Sequence, residues 1–496
     1  MICVVIKGPT FQDAHHQISK AAAYADLVEL RLDGFTSLDL NSLNTLRTQF
    51  SIPMIFTLRS QCQGGSYAQP EEKRLEDIRK LASLKPEYID LENHLPANFI
   101  EEILKQHEIK LILSYHNFEE TPHDLEEIFL KMCQMPAFFY KIAVSAGNCL
   151  DALKLLHMAK NNEGKLIAIS MGSHGQISRI LGPVVGSPIT YAALDDNQKS
   201  APGQLSAQTL IEQYHYRSLN PRTKIYGLIG DPVDQSISDV THNHVLAVCG
   251  LNSVYVKIQV HRSELENFLK LAKQLPFMGL SVTMPFKEHI LPYLDDTDPQ
   301  ALTIGAVNTL IFEDGNISGF NTDGIGALNA LEKGFPVKGK RVVIIGAGGA
   351  TKAIAFEAIR RGALVTILNR DADKAIRLAT RLQCIGKGLD SMPACAKEGY
   401  DILINCTPSA LPIDPQDILP TAVVMDIKTK PAETELIKHA LRKGCRIVYG
   451  YEMFIEQALG QFDLWFKGQF DEQNGRLILE NAIPRVVHSS TILTNS

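Results

Sequence analysis

The first part of the chain repeats one alternation: a short apolar run, a polar loop, then a stretch with apolar positions at helical spacing. The runs "ICVVIKG" from Ile2, "LVELRLD" from Leu27, "PMIFTLR" from Pro53, "EYIDLE" from Glu87, "KLILSYH" from Lys110, "FFYKIAV" from Phe138, "KLIAIS" from Lys165 and "PITYAAL" from Pro188 read as eight strands separated by helices. Eight such repeats within about 215 residues predict an α/β fold of compact (β/α)8-barrel type, closed by a last helix in "GQLSAQTLIEQYHYRSL" from Gly203. After the short connector "NPRTK", Asn220 to Lys224, a new α/β pattern starts at "IYGLIGDP". Beyond residue 330 the runs "VVIIG", "LVTILNR", "DILINCT" and "AVVMDI" predict an open parallel sheet, and "YEMFIEQALGQFDLWFKG" a closing helix. The tail "HSSTILTNS" carries little pattern. The expected organisation is a barrel over 1–217, a second α/β lobe over 222–330, a nucleotide-binding lobe over 331–450 and a helical segment over 451–496 that returns to the second lobe.

Composition narrows the class. A chain of 496 residues with 45% hydrophobic and 21% charged residues and a net charge of −6 describes several folded cores, with no pull toward nucleic acid or a membrane surface. Small molecules are the expected partners. "MICVVIKGPT" enters a strand directly, without a charged leader or apolar signal core, and no apolar run is long enough to span a bilayer, so the expected compartment is the cytosol. Nine cysteines without a CxxC pair argue against a disulfide framework or a structural zinc site; the expectation is reduced core thiols and no metal.

Lys141 stands in the middle of the strand-like run "FFYKIAV". An ammonium group there is costly unless it is paired or neutralised. Taken singly, such a lysine packs its stem and sends its head to water. In a barrel mouth, however, a desolvated lysine can attack a ketone and form an imine that draws electrons from the neighbouring carbon. His116, ending the preceding strand in "LSYHNF", is suited to act as general base beside it. The other strand ends carry Glu29, Arg31, Arg59, Arg179, Ser200 and Gln204, groups that suit a polyhydroxy carboxylate; arginine meets a carboxylate through two parallel hydrogen bonds.

The ordered pieces "ELRLD", "TLRS", "SYHNF", "YKIAV", "SMGSHGQISRILG" and "SAPGQ" resemble type I 3-dehydroquinate dehydratase across residues 1 to 215. The resemblance implies that Lys141 forms a Schiff base with the C3 ketone of 3-dehydroquinate and that His116 removes the C2 proton, then protonates the departing C1 hydroxyl. It implies that Arg179 binds the carboxylate and that Glu29, Arg31, Arg59, Gln63, Ser200 and Gln204 hold substrate. One departure stands out: the family usually has glutamate where this chain has Gln63, which can hydrogen-bond but cannot carry a charge. Activity is expected, at a reduced level.

A second constellation follows. "VVIIGAGGAT" places Gly346, Gly348 and Gly349 between a strand and a helix, where backbone amides can approach a pyrophosphate. The next strand ends at Asn369 and Arg370, where a Rossmann-like domain selects its cofactor; Arg370 favours the 2′-phosphate of NADP, and Asp371 argues for some of the opposite preference. Upstream, Lys287 in "SVTMPFK" and Asp323 in "GFNTDG" form a lysine–carboxylate pair able to serve the oxygen of a ketone that accepts hydride.

"GLIGDPVDQSIS", "SVTMPFK", "GAVNT", "GFNTDG", "GAGGAT", "NR" and "EQA" occur in the order of shikimate dehydrogenase, from residue 224 to about 470. This resemblance implies catalytic Lys287 and Asp323, shikimate contacts from Ser236, Ser238, Thr283, Asn308 and Gln457, and Gly450 beside the nicotinamide. Asp239 replaces the proline of "SxSP", and Thr429 the tyrosine of "DxxY". The product expected of the first half is the substrate expected of the second, so the whole chain resembles the fused dehydratase–dehydrogenase enzymes. Alternatives are another Schiff-base lyase or aldolase in the barrel, a quinate- or NAD-directed redox half, and a metabolite sensor without turnover.

Overall fold

The computed structural model describes residues 1–195 and 201–488. Eight strands occur where the apolar runs place them: β1 Ile2–Ile6, β2 Leu27–Arg31, β3 Met54–Thr57, β4 Tyr88–Glu92, β5 Lys110–Asn117, β6 Phe139–Ser145, β7 Leu166–Met171 and β8 Thr190–Ala192. They form one parallel sheet in the order β7-β6-β5-β4-β3-β2-β1-β8, a nearly closed barrel whose ladder is open between β7 and β8. Cys3, Ile55, Ile112, Ile167 and Tyr191 meet in one buried cluster. Above that apolar layer the strands carry buried polar side chains, among them Glu29, Thr57, Asp90, Ser114 and Lys141.

The last barrel helix is shorter than its sequence pattern suggests. It runs Ala207–Glu212, capped by Ser206, whose hydroxyl accepts from the Thr209 N–H at 3.2 Å. Residues ahead of it are taken up by an isolated bridge between Ala193 and Ser206, and His215, at φ +49°, ends the helical path before a single turn at Tyr216–Ser218.

The rest of the chain builds two further sheets. The first comprises β9 Lys224–Gly230, β10 Ser253–Gln259, β11 Phe277–Val282, β12 Asp296–Thr297, β13 Thr309–Glu313 and β14 Asn316–Phe320, in the order β10-β9-β11-β13-β14-β12. The second comprises β15 Arg341–Ile345, β16 Leu364–Asn369, β17 Ile385–Gly388, β18 Ile402–Asn405, β19 Val423–Asp426 and β20 Arg446–Val448. All its ladders are parallel, in the order β17-β16-β15-β18-β19-β20, the doubly wound arrangement in which the strand order reverses beside β15. Two helices, Gly450–Phe466 and Glu472–His488, follow, where the sequence pattern marked only the first.

The chain divides into two compact units, residues 1–225 with 252–276, and residues 226–251 with 277–496. The first therefore takes in a segment that the sequence assigns to the second lobe. Among the described residues no helix is long and apolar enough to cross a membrane, and no group of three or more His, Cys, Asp or Glu side chains is placed to hold a metal ion. All nine cysteines are free.

Candidate active sites

At the barrel mouth, Glu29, Arg31, His116, Lys141, Arg179 and Gln204 line one cavity. Lys141 is 4% exposed, and its burial is compensated on two sides. Its Nζ lies 3.1 Å from Asp90 Oδ2 and 3.5 Å from Glu29 Oε1, and 4.0 Å above the ring of Tyr191. Asp90 in turn accepts from Arg59 Nη2 at 2.8 Å and from Ser114 Oγ at 2.7 Å. Burial pushes the Asp90 carboxyl up, but Arg59, Lys141 and His116 outweigh it and hold the group well below the usual carboxylate range.

Arg59 therefore points into this ionic layer and does not line the cavity. Glu92 completes the layer, accepting from Arg74 Nη1 at 2.9 Å and the Ser60 N–H at 2.8 Å. Three buried carboxylates, Glu29, Asp90 and Glu92, thus face three cations, Arg59, Arg74 and Lys141.

Arg179 is different. It is 2% exposed and donates from Nη1 to the Tyr191 carbonyl at 2.8 Å, yet pairs with no carboxylate among the described residues, and its Nε has no partner. Burial pushes its guanidinium down to about 10. A buried cation that lines a cavity and keeps a donor free among the described residues is a candidate site for an anion.

His116 stacks on Phe118, with ring centroids 6.1 Å apart, and its Nδ1 makes no hydrogen bond among the described residues. Burial, then Arg59 and Lys141, push its imidazole well below its ordinary value, so it stands neutral and able to accept a proton. Gln63 does not bond this ring; its Oε1 accepts from the His116 backbone N–H at 3.0 Å. Arg31 is held by Asp33 through two bonds of 2.9 and 3.0 Å at the cavity rim. Gln204 donates to the Tyr191 carbonyl at 3.3 Å. Ser200 lies outside the described residues.

In the second unit a cleft collects Ser238, Thr283, Lys287, Asn308, Asp323, Gly450 and Gln457, seven positions singled out from sequence. Lys287 Nζ sits 2.5 Å from Asp323 Oδ2, while Asn308 Nδ2 donates to Asp323 Oδ1 at 2.9 Å and to Gln457 Oε1 at 3.3 Å. Ser236 stands behind Ser238, their hydroxyls 2.6 Å apart. Thr429 lines the same cleft, and Asp239 is buried in the first turn of the helix Ser238–Val248, where an acidic side chain suits the positive helix end.

The turn after β15 leads into a neighbouring cleft lined by Gly348, Asn369 and Arg370, with Lys352, Lys374 and Arg377. Gly346 adopts φ +120°, and a Cβ on Gly348 would meet no protein atom within 4 Å, which leaves open space before the helix Gly349–Arg360. That opening suits a pyrophosphate, and the basic side chains past β16 suit a further phosphate. Asp371 lines the same cleft, and its carboxylate accepts from the Lys374 N–H at 3.2 Å as the cap of the next helix. These residues fit NADP.

Family comparison matches residues 2–221 to type I 3-dehydroquinase, 228–310 to the shikimate dehydrogenase substrate binding domain and 329–430 to shikimate / quinate 5-dehydrogenase. The Shikimate biosynthesis protein AroDE of Chlamydia pneumoniae is 40% identical over 471 residues, covering 94% of this chain and 95% of its own. The chloroplastic bifunctional 3-dehydroquinate dehydratase/shikimate dehydrogenase of Arabidopsis thaliana is 34% identical over 494 residues, 94% of this chain and 82% of its own. The chain belongs to this bifunctional dehydratase–dehydrogenase family. The shikimate dehydrogenase (NADP(+)) of Pyrococcus furiosus matches the second half alone, 40% identical over 252 residues, 50% of this chain and 92% of its own. Family membership bears out both resemblances drawn from motif order, including the fusion.

Several residues of this family member's sites escape a reading by motif. Asp90, Glu92, Arg74 and Tyr191 build or cover the barrel site, and Ser281, Gln461 and Phe454 line or brace the dehydrogenase cleft. Asp90 and Glu92 did carry a signal: two acids at alternate positions of "YIDLE" share one strand face, the same anomaly that Lys141 presents.

Proposed function

We propose that the chain catalyses two consecutive steps, dehydration of 3-dehydroquinate to 3-dehydroshikimate in the barrel and NADPH-dependent reduction of 3-dehydroshikimate to shikimate in the second unit. The observation that carries this reading is the barrel cavity itself, where Lys141, a neutral His116 and Arg179, which has no carboxylate partner among the described residues, meet. In this reading Arg179 takes the substrate carboxylate, which fixes the ring. Lys141 Nζ, after giving up a proton, adds to the C3 carbonyl; water leaves, and the protonated imine draws electron density from C2. His116 removes the C2 proton and returns a proton to the C1 hydroxyl as it departs. Hydrolysis of the imine frees the product and Lys141.

The second cleft supports ketone reduction. Bound NADPH supplies the hydride, and Arg370 with the glycine turn would hold its phosphates. Lys287 offers a proton to the carbonyl oxygen as it becomes a hydroxyl, Asp323 orients the ammonium, and Asn308 fixes Asp323. Ser238, Thr283 and Gln457 stand where a polyhydroxylated ring would be bound.

The test supplies purified protein with 3-dehydroquinate and NADPH and follows absorbance and product. NADPH oxidation with shikimate formation is expected, and Lys141→Ala should abolish it while leaving reduction of added 3-dehydroshikimate intact. No oxidation with either substrate would sink the proposal.

A further inference from the structure

Asp90 is placed differently from the other carboxylate near Lys141. Glu29 lines the cavity and can reach a substrate, whereas Asp90 does not line it and can touch a reacting molecule only through the lysine. Its two oxygens also have separate tasks. Oδ1 is anchored by Arg59 Nη2 at 2.8 Å and Ser114 Oγ at 2.7 Å, leaving Oδ2 directed at Lys141 Nζ, 3.1 Å away. The strand register builds this arrangement: Ser114 on β5 is the cross-strand partner of Glu92 on β4 and of Lys141 on β6.

We propose that Asp90 is a positioning residue for the dehydration, fixing Lys141 Nζ for attack on the ketone and remaining its counter-ion when that nitrogen becomes the protonated imine. This rests on the lysine–imine reading above. The nitrogen is cationic as ammonium, neutral at the moment of attack and cationic again as iminium, so an anion at fixed distance favours the states on either side of the attack. A lysine side chain has four flexible carbons, and a rigid buried anchor removes the freedom that would otherwise scatter Nζ within the cavity. The other titratable groups facing Nζ are Glu29 on β2, Cys3 on β1, His116 on β5, Tyr191 on β8 and Arg59 after β3. None of them is an anion that is both rigid and out of the substrate's reach.

The experiment uses the full chain, whose dehydrogenase activity reports that each preparation is folded in its second unit. With wild-type protein, borohydride added during turnover of 3-dehydroquinate should leave a reduced adduct on the peptide containing Lys141; absence of that adduct overturns the imine reading itself. Given the adduct, Asp90→Asn should lower dehydratase kcat about a hundredfold with KM within about threefold, and lower the trapped fraction. Asp90→Glu should recover about tenfold of the lost kcat and stay about tenfold below wild type. A kcat within threefold of wild type, or a rise in KM alone, overturns the proposal. Should Asp90→Asn fail to fold, Asp90→Glu and Ser114→Ala are read instead: both keep the charge but loosen its placement, and unchanged kcat and trapping in both overturn the proposal.

Discussion

Arg179 and His242 are both buried and basic, yet they make opposite predictions. Removing the charge of Arg179 relieves a cation with no carboxylate partner among the described residues, so Arg179→Gln should raise KM for 3-dehydroquinate by about 10- to 100-fold, the worth of a charge-assisted hydrogen bond, without lowering the melting temperature. A lower melting temperature with unchanged KM would show that the guanidinium is structural. Burial of His242 pushes its imidazole down to about 3. The unfolded chain takes up a proton there below about pH 6.5 and the folded chain does not, so this contribution to stability is complete above that pH and is lost as pH falls toward 3. His242→Phe should flatten the fall in unfolding free energy between pH 6.5 and 4 by up to about 1.4 kcal/mol per pH unit, measured by denaturant titration at several pH values. An unchanged slope would assign the acid sensitivity elsewhere.

At the scale of elements, the cleft geometry depends on how closely the helix Gly450–Phe466 starts against the turn after β19. A Cβ on Gly450 would lie 2.4 Å from the Lys428 carbonyl oxygen, a backbone atom that cannot swing aside. Gly450→Ala should therefore displace the helix that carries Gln457 and Gln461, lower dehydrogenase kcat/KM at least tenfold and cost about 1–3 kcal/mol, while dehydratase activity stays unchanged. Equal activity in the variant would mean that the helix start tolerates the added methyl. The same scale explains what was legible in the sequence. Strand periodicity and glycine turns are local, so the barrel sheet, the open parallel sheet and the pyrophosphate turn could be read directly, while the mixed sheet between them showed only as an α/β pattern. The shorter helix at Ala207–Glu212 and the second terminal helix depended on a bridge at Ser206 and on packing against distant segments, which no local window records.

At the scale of the whole molecule, the first compact unit does not end where the barrel motifs end. The helix Cys149–Asn161 buries Cys149, Ala152, Leu153, Leu156, Met158 and Ala159, an arc wider than the stripe a barrel alone would cover. The helix Leu265–Ala272, from the segment grouped with the barrel, packs against it. Lys160 Nζ also donates to the Gln274 carbonyl at 2.8 Å, and the Cys149 thiol to Glu264 at 3.8 Å. Phe268 in that helix is fully buried, so Phe268→Ala should cost about 3–5 kcal/mol of stability, and the grouping predicts that the dehydratase shares this loss although Phe268 lies among the residues matched to the shikimate dehydrogenase substrate binding domain. The check is residual dehydratase activity after stepwise heating. Loss confined to the dehydrogenase would contradict the grouping.

Sequence by itself determined the two sheet architectures, the order of the motifs and the identity of the groups at the strand ends, because hydrophobic period and turn chemistry act over a few residues. It also singled out Lys141, which interrupts a strand pattern, His116, which ends one, and Lys287 and Asp323, which follow strand-like runs. Only the tertiary structure decided that Arg59 faces inward to Asp90 while Arg179 lines the cavity with no carboxylate partner among the described residues, that Asp371 caps a helix, and that Asp90 stands beneath Lys141. Charge pairing is set by distances between strands far apart in the chain, and the same residue type becomes anchor, scaffold or ligand site according to which neighbour reaches it first.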